Sequence, residues 1–432
     1  MLSNLYPPDV EGGAEILAGA IADGLMRQGH DVTILTSAPR DTAMEPQPHV
    51  RRALRLAGAT RVDRSRPLWR QLPLVYHYYR RFHQPANLRA LRRVVAETRP
   101  DVLYIWEITG LGVTSLLAGL PALRLPLVFQ LGSYSLLYAR SPETEQSRLR
   151  ARWLKRLLIG SVPADGWTSL IAVSAAVREE YARAGFDSAR IEVIHNGIAP
   201  RFFEATPERI MRADERVGPL RLLFVGRLCP EKGVLTALKA LALLGDVDCQ
   251  LDIIGDGDPA YRRALEAYAQ DQRLAEQVTF HGAMPQEQLI AWYDRDDVLL
   301  NTSLWAEPFG LATVEAMARG MAVIGSRTGG TAEIIAAGVN GLLTEPGDER
   351  ALAAAIRQLA ANPARRARLA EAARRTAAER FTLEENVRRV ARHLQRAARG
   401  DTAIPTDSAI TATRASTANV YSAPGGARRA VG

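Results

Sequence analysis

The sequence is poor in cysteine and contains no long apolar run. Its 432 residues include two cysteines, Cys229 and Cys249, which are too few for a disulfide framework or a zinc site. A reducing compartment is therefore expected. No stretch approaches the roughly 20 apolar residues of a membrane-spanning helix, and the first residues lack the basic start and apolar core of a secretory signal. We predict a cytoplasmic protein.

Lysine is also scarce, so the positive charge comes almost entirely from arginine. The lysines are Lys155, Lys232 and Lys239, and the formal net charge is +8. Such a bias usually reflects genome composition, although a basic surface attracts anionic lipid head groups and polyanions. We predict no nucleic-acid partner.

Two basic segments carry aromatic or apolar side chains. Residues 40–81 combine prolines and arginines with Trp69, Tyr76, Tyr78 and Tyr79. They are typical of a solvated loop-and-helix region, or of a patch at a membrane surface. Residues 148–159 have the pattern of a basic amphipathic helix, which either folds onto its own lobe or lies in a membrane surface. For each segment, both a place on its own lobe and contact with a membrane surface stay open.

The length and the pattern of elements predict two lobes. A chain of 432 residues exceeds what one hydrophobic core usually supports. Short apolar strands alternate with amphipathic helices in both halves, which favours two doubly wound α/β lobes. The predicted division is a first lobe over 1–199, a linker over 200–218, a second lobe over 219–380, a final helix over 381–398, and a disordered tail over 399–432.

The most informative stretch runs from Asn301 to Glu315. A short apolar run precedes it, and a helix-forming run follows it and ends at Gly320. In open parallel sheets, ligands bind at the carboxyl ends of strands against helix N-termini, where free N–H groups favour anions. We expect Glu307 at the mouth of such a site. Glu315, about a turn and a half into the helix, can accept hydrogen bonds from a diol such as ribose.

Two glycine-containing loops also suggest ligand contacts. Arg227 and Lys232 stand five apart on a turn bounded by Gly226 and Gly233, from which both cations can reach one diphosphate. An exposed turn is the alternative. The pair Gly12-Gly13 precedes a predicted helix over residues 14–27, and paired glycines allow close approach of the backbone to a ligand.

Together these motifs resemble a known family. Two glutamates separated by seven residues, with Pro308-Phe309-Gly310 after the first, look like the signature of the retaining nucleotide-sugar glycosyltransferases of family 4. The loop over 226–233 is similar to the family's diphosphate-binding loop. The likeness spans roughly residues 4–398 and is most specific in the second lobe. It implies the GT-B architecture, with two Rossmann-like lobes, a cleft between them, and a C-terminal helix that crosses back onto the first lobe.

The resemblance also implies roles for individual residues. Glu307 would be the catalytic residue that orients the sugar hydroxyls and supports the cationic ring. The donor would be bound by Gly13, Arg227, Lys232, Phe309, Gly310, Leu311 and Glu315. The family needs no divalent ion, so neither a metal nor a resident cofactor is expected; the nucleoside-diphosphate sugar is a co-substrate. Retention would follow front-face attack by the acceptor, without a covalent enzyme intermediate.

The first lobe departs from the family's pattern. Many members have a histidine where this chain has Gly132, and Trp106-Glu107 stands where strings rich in histidine or containing asparagine are common. We therefore assign no catalytic histidine to this lobe. His195 is interpreted as structural, and His281 as a weak candidate for contact with the base.

The predicted activity is transfer of a hexose from a UDP- or GDP-sugar to a hydroxyl of a glycan or lipid-linked acceptor. This would serve cell-surface polysaccharide synthesis, with peripheral contact to the anionic inner membrane at its cytoplasmic face. One alternative is a nucleotide-sugar epimerase of the same architecture. Another is a non-catalytic protein that binds membranes or polyanions.

Overall fold

Two parallel β-sheets, each flanked by helices, form two lobes in the computed structural model. The structure describes residues 1–10, 12–39, 47–57, 79–80, 82–140, 166–204 and 218–401. Both sheets lie within the ranges predicted for the two lobes. The predicted GT-B architecture is confirmed.

Among the residues that the structure describes, the first sheet has seven parallel strands in the order β3-β2-β1-β4-β5-β6-β7. The strands are β1 Leu2–Ser3, β2 Ile34–Ser37, β3 Val50–Leu54, β4 Leu103–Glu107, β5 Leu127–Leu131, β6 Ser169–Ala172 and β7 Ile191–Val193. The accompanying helices are α1 Gly13–Arg27, α2 Pro85–Thr98, α3 Val113–Gly119, α4 Ser135–Arg140 and α5 Ala175–Arg183.

The second sheet has six parallel strands in the order β10-β9-β8-β11-β12-β13. The strands are β8 Leu220–Val225, β9 Cys249–Ile254, β10 Val278–Gly282, β11 Val298–Asn301, β12 Ala322–Ser326 and β13 Leu342–Thr344. The helices are α6 Val234–Ala242, α7 Pro259–Asp271, α8 Gln286–Arg295, α9 Leu311–Ala318, α10 Thr331–Ile334, α11 Glu349–Ala361, α12 Pro363–Arg380 and α13 Leu383–Ala398.

The order of strands reverses at the centre of each sheet, between β1 and β4 and between β8 and β11. Ligands in open α/β sheets bind in the crevice beyond the carboxyl ends of the strands at this point. The loops after these strands face the cleft between the lobes, so the topology concentrates the predicted site residues in one place.

The last helix, α13, crosses back to the first lobe, as predicted. Its apolar face packs against α1, where a Cβ added at Gly24 would lie 2.6 Å from Cγ2 of Val387. At the crossing point the N–H of Ile198 donates to the carbonyl of Phe381 at 2.9 Å, and the N–H of Leu383 donates to that of Ile198 at 3.1 Å. Backbone bonds therefore fix where the chain re-enters the first lobe.

One strand was missed by the sequence analysis. Residues 50–54 fall in the segment interpreted as loops and helices, yet they form the edge strand β3, in which Val50 and Leu54 are buried. Arg51 and Arg52 lie between them and are at least partly accessible to solvent. Because two consecutive arginines interrupt the apolar pattern, the sequence did not indicate a strand here.

Several predictions fall outside the described residues. They include the basic helix over 148–159, most of the aromatic segment over 58–78, and the tail over 402–432. Within the described ranges, no helix combines the length and the apolar character that crossing a bilayer requires.

Candidate active site in the cleft between the lobes

A cavity of about 620 Å³ lies between the lobes and is lined by both. The first lobe contributes the start of α1 and the ends of β4 and β5. The second lobe contributes the ends of β8 and β11 and the start of α9. The predicted site residues that line the cavity are Gly13, Lys232, Glu307, Phe309, Gly310, Leu311 and Glu315.

Glu307 is held at the cleft in a fixed orientation. The residue is only 6% exposed. Its Oε1 accepts a hydrogen bond from Nζ of Lys232 at 2.7 Å and another from the hydroxyl of Ser303. Since a buried carboxylate is costly unless it is paired and hydrogen-bonded, this pairing explains how the charge is kept inside the site.

The loop that carries Lys232 is attached to the loop that carries Glu307. The hydroxyl of Thr302 donates to the carbonyls of Lys232 at 3.1 Å and Gly233 at 2.9 Å. Gly233 has φ of +68°, and a Cβ there would lie 2.0 Å from the carbonyl oxygen of Thr302. Glycine is therefore required, and the close approach holds the lysine beside the carboxylate.

Helix α9 begins at the cleft directly after this loop. Gly310 is its N-cap residue and adopts φ of +110°, a conformation that favours glycine. The N–H groups of a first helical turn have no partners within the helix, and together with the helix dipole they favour an anion. Gly310 and Leu311 thus lie where a phosphate group would be stabilised.

Gly329 and Gly330 pack against the backbone of the loop that carries Glu307. The N–H of Gly330 donates to the carbonyl of Glu307 at 2.8 Å. A Cβ at Gly329 would lie 2.3 Å from that carbonyl oxygen, and one at Gly330 would lie 2.6 Å from Cα of Phe309. Larger residues would displace the loop that carries Glu307.

Glu315 is buried to the same degree as Glu307 and also has two hydrogen-bond partners. Its carboxylate accepts hydrogen bonds from Nε2 of Gln286 at 2.5 Å and from the hydroxyl of Tyr293 at 2.8 Å. Burial raises the pKa of Glu315, and these two donors partly oppose the rise. An ionised carboxylate has about four acceptor positions, so Glu315 retains capacity for a ligand diol. Its role with ribose stays a prediction.

Gly13 and Arg227, both predicted to bind the donor, differ in their position relative to the cavity. Gly13 faces the second lobe across the cleft, and a Cβ there would lie 3.0 Å from Cδ1 of Leu311. The Arg227 side chain is exposed, and this residue is not part of the described lining of the cavity. Lys232 therefore lies at the cavity and Arg227 outside its described lining, and contact of either cation with a diphosphate stays a prediction.

His195 lies at the interface between the lobes. Its ring contacts Phe309, with 5.8 Å between centroids, and Phe381, with 5.7 Å. Its Nε2 lies 3.2 Å from Oε2 of Glu333. The same carboxylate accepts hydrogen bonds from the N–H groups of Ala175 at 2.9 Å and Ala176 at 2.8 Å. A second-lobe glutamate thus caps a first-lobe helix, in keeping with a structural role for His195.

The first-lobe wall contains polar residues to which the sequence analysis gave no role. Glu107 is the last residue of β4, Ser133 follows β5, and both line the cavity beside Gly132. Their positions at the ends of two apolar runs, which form the neighbouring strands β4 and β5, could have identified them from the sequence. Gln286 and Glu333 were also missed as site residues, because their contacts are with residues distant in sequence.

His281 contacts residues outside the described cavity lining. Its Nε2 lies 2.5 Å from Oδ1 of Asp252, and its ring lies 4.2 Å from that of Trp292. Contact of this histidine with a base stays a prediction. Within the described ranges, no group of three or more His, Cys, Asp or Glu residues could hold a metal ion.

Comparison with known proteins gives two matching family models, one for each half of the chain. The model of Glycosyltransferase Family 4 matches residues 11–202, and that of Glycosyl transferases group 1 matches residues 208–376. A glycogen synthase from Mycobacterium tuberculosis is 29% identical over 371 residues, which cover 83% of this chain and 85% of the relative. A D-inositol 3-phosphate glycosyltransferase from Pseudarthrobacter chlorophenolicus is 29% identical, with 77% of this chain and 78% of the relative covered.

Solved structures show the same fold. Sucrose-phosphate synthase from Thermosynechococcus elongatus has a TM-score of 0.69 at 24% identity, with 91% of this chain and 97% of that one covered. Anabaena HepE in complex with UDP and glucose has a TM-score of 0.67 at 23% identity, with 91% and 98% covered. The matches to both halves, the two-lobed fold and the glutamate string at the cleft lead to one conclusion: the chain belongs to glycosyltransferase family 4, the group 1 glycosyl transferases, and is an enzyme of the GT-B architecture.

Proposed function

We propose that the protein is a retaining glycosyltransferase that moves a hexose from a UDP- or GDP-sugar to a hydroxyl of a glycan or lipid-linked acceptor. The observation that carries the proposal is the Lys232–Glu307 pair, 2.7 Å apart, beside the N-terminus of α9 in the cleft. A cation, a carboxylate and a helix N-terminus together match the charges that develop when a sugar leaves a diphosphate.

The mechanism follows from these charges. As the bond between C1 and the phosphate oxygen breaks, negative charge grows on the diphosphate and positive charge on the sugar ring. Lys232 and the N–H groups at the start of α9 stabilise the diphosphate, and Glu307 stabilises the ring and orients its hydroxyls. The acceptor oxygen attacks C1 on the face that the diphosphate leaves, and its proton goes to the departing phosphate oxygen. The anomeric configuration is thus kept without a covalent enzyme intermediate.

The base and the sugar of the donor are proposed from relatives. HepE was solved with UDP and glucose, and its fold matches this chain. UDP-glucose is therefore the first donor to test, with GDP-sugars next. We also propose that the donor is bound without a metal, since Lys232 and the helix N-terminus supply positive charge at the diphosphate.

Cell-surface polysaccharide synthesis is the proposed role. The formal net charge of +8 supports peripheral contact with an anionic membrane, where a lipid-linked acceptor would be reached from the cytoplasmic side. Vesicle flotation with and without anionic lipid tests this part separately.

The proposed activity is tested by a thermal-shift screen with UDP, GDP, ADP and their glucose conjugates. A ligand at 100 times its Kd stabilises the folded protein by about 2.7 kcal/mol. Selective stabilisation by UDP or GDP supports the proposal, and stabilisation by none of the nucleotides contradicts it. Product analysis by NMR then checks the anomeric configuration. Conversion of the donor to another nucleotide-sugar without an acceptor would instead indicate an epimerase.

A further inference from the structure

The first-lobe wall of the cleft carries a carboxylate that the proposed function leaves without a role. We propose that Glu107, together with Ser133, binds a hydroxyl of the acceptor and selects uncharged acceptors over phosphorylated ones. This inference rests on the proposed transfer reaction and adds the chemical class of its acceptor.

The topology places the two side chains together at the cleft. Glu107 is the last residue of β4, and Ser133 follows β5, which is the parallel neighbour of β4. Both residues line the cavity. Because the donor-side groups Lys232 and Glu307 belong to the other lobe, Glu107 and Ser133 are on the wall left for the acceptor.

Hydrogen bonds from its own turn fix one oxygen of Glu107. Its Oε1 accepts from the N–H groups of Ile108 and Thr109, each at 2.9 Å, and from the hydroxyl of Thr109 at 2.6 Å. A side chain with three local donors on one oxygen has a set direction, so its second oxygen is presented at a fixed place.

The second oxygen, Oε2, keeps accepting capacity. The hydroxyls of Ser133 and Ser135 lie 3.3 Å and 3.1 Å from it, and 2.8 Å from each other. Each hydroxyl has one hydrogen, so a bond between the two serines leaves one hydrogen for Oε2. A remaining lone pair can accept from an acceptor hydroxyl, and the Ser133 oxygen can contact the same group.

The charge of the first-lobe wall of the cleft determines which acceptors bind poorly. Among the described first-lobe residues that line the cavity, the ionisable side chains are those of Glu15 and Glu107, both acidic. Across the cleft, the ammonium of Lys232 is already paired with Glu307. A phosphate on the acceptor would therefore meet carboxylates rather than cations on this wall. Like charges brought together at an interface disfavour binding, whereas a neutral hydroxyl can donate to Oε2.

The test uses UDP-glucose and matched acceptor pairs: glucose with glucose 6-phosphate, and myo-inositol with its 3-phosphate. Products are identified by mass spectrometry, and acceptor kcat/KM is measured for the wild type, Glu107→Gln and Ser133→Ala. We expect at least tenfold higher kcat/KM for the neutral member of a pair. Glu107→Gln should lower the ratio of kcat/KM between the neutral and the phosphorylated acceptor at least tenfold. Glu97→Gln, an exposed carboxylate on α2, is the control.

Other outcomes overturn the inference. They are preference of the wild type for the phosphorylated members, an unchanged ratio in Glu107→Gln, or hydrolysis of UDP-glucose with no transfer to either class. If Glu107→Gln fails to fold because its turn is lost, Ser133→Ala must still lower kcat/KM for the neutral acceptor. If the thermal-shift screen selects GDP, the same acceptor pairs are tested with GDP-glucose. Absence of stabilisation by both UDP and GDP, together with no turnover of either glucose conjugate, would overturn the proposed function itself, and the inference with it.

Discussion

Nζ of Lys232 lies 2.7 Å from Oε1 of Glu307, so the cation proposed for the diphosphate and the carboxylate proposed for the sugar form an ion pair in the cleft. Side-chain exposure is 21% for the lysine and 8% for the glutamate. Each charge offsets part of the cost of burying the other. A donor whose phosphate contacts the lysine is thereby brought beside the carboxylate.

Replacing Lys232 by alanine should weaken donor binding and slow catalysis. Loss of one group that stabilises the charge of a transition state typically lowers the rate by about 10²–10³, and we expect a fall in kcat/KM of that order. Stabilisation by UDP in a thermal-shift assay should also be lost. Lys239→Ala is the matched control, because Lys239 is an exposed lysine on the neighbouring helix α6. Full UDP stabilisation in Lys232→Ala would contradict the assignment.

Glu333→Ala should weaken the contact between the lobes. This carboxylate accepts from two first-lobe N–H groups, at 2.8 and 2.9 Å, and lies 3.2 Å from His195. Hydrogen bonds to charged groups contribute about 1.5–3 kcal/mol each. We expect kcat to fall about tenfold and the radius of gyration of the UDP complex, measured by small-angle X-ray scattering, to increase.

The control for that experiment is Glu345→Ala, which removes an exposed carboxylate from the same lobe. If Glu333→Ala has the same radius of gyration and kcat as this control, the contact does not hold the lobes together.

The sequence was sufficient to predict features that depend on neighbours along the chain. The final helix predicted over 381–398 ends at Ala398, as α13 does, whereas α13 begins at Leu383, directly after its N-cap residue Thr382. A serine before a helix-forming run is typical of an N-cap, and the hydroxyl of Ser174 accepts from the N–H of Val177 at 3.1 Å at the start of α5. The glutamate string was recognisable because loop, glycine cap and helix are contiguous.

Features that depend on pairing between distant residues could not be predicted. Glu333 reaches Ala175, and Lys232 reaches Glu307, only after two lobes and two loops have packed together. The edge strand β3 was hidden because its surface position allows arginines inside it. From the sequence, Glu107 could be identified only as a departure from the family's pattern. Its hydrogen bonds to Ser133 and Ser135 form because β4 pairs with β5, which the sequence alone does not show.

Asp296 should make stability depend on pH. Burial raises the pKa of Asp296 from 3.8 to about 6, although Arg295 opposes the rise. A raised pKa in the folded state means that the folded protein binds the proton more tightly than the unfolded chain. Stability from this group is therefore complete below pH 3.8 and is lost as the pH rises to about 6. At 1.36 kcal/mol per pKa unit, the loss is about 3 kcal/mol.

Asp296→Asn removes this titration. The difference in Tm between the variant and the wild type should change in favour of the variant between pH 4 and pH 7, and then remain constant. Differential scanning calorimetry across this range measures it, with the exposed Asp271→Asn as the control. A difference independent of pH would show that Asp296 does not titrate in this window.

His393 connects the crossing helix α13 to the first lobe through a buried chain of three side chains. Its Nε2 lies 2.8 Å from Oγ of Ser169, and its Nδ1 lies 2.7 Å from Oε2 of Glu192. Burial alone would raise the pKa of Glu192, but His393 and Arg396 outweigh it and hold the pKa below its ordinary value. The order serine, histidine, carboxylate resembles a hydrolase triad. However, these residues are not part of the described lining of the cleft, and Ser169 is only 3% exposed.

We therefore expect His393→Ala to affect stability and not chemistry. Leaving the partners of a buried group unsatisfied costs about 1–3 kcal/mol. At about 2–4 °C per kcal/mol for a lobe of this size, Tm should fall by about 2–12 °C. The kcat at a temperature where the variant is folded should equal that of the wild type. Arg392→Ala, on the same helix, is the surface control. A Ser169→Ala variant with normal Tm but lost activity would instead show that the three residues take part in catalysis, and the structural interpretation would be wrong.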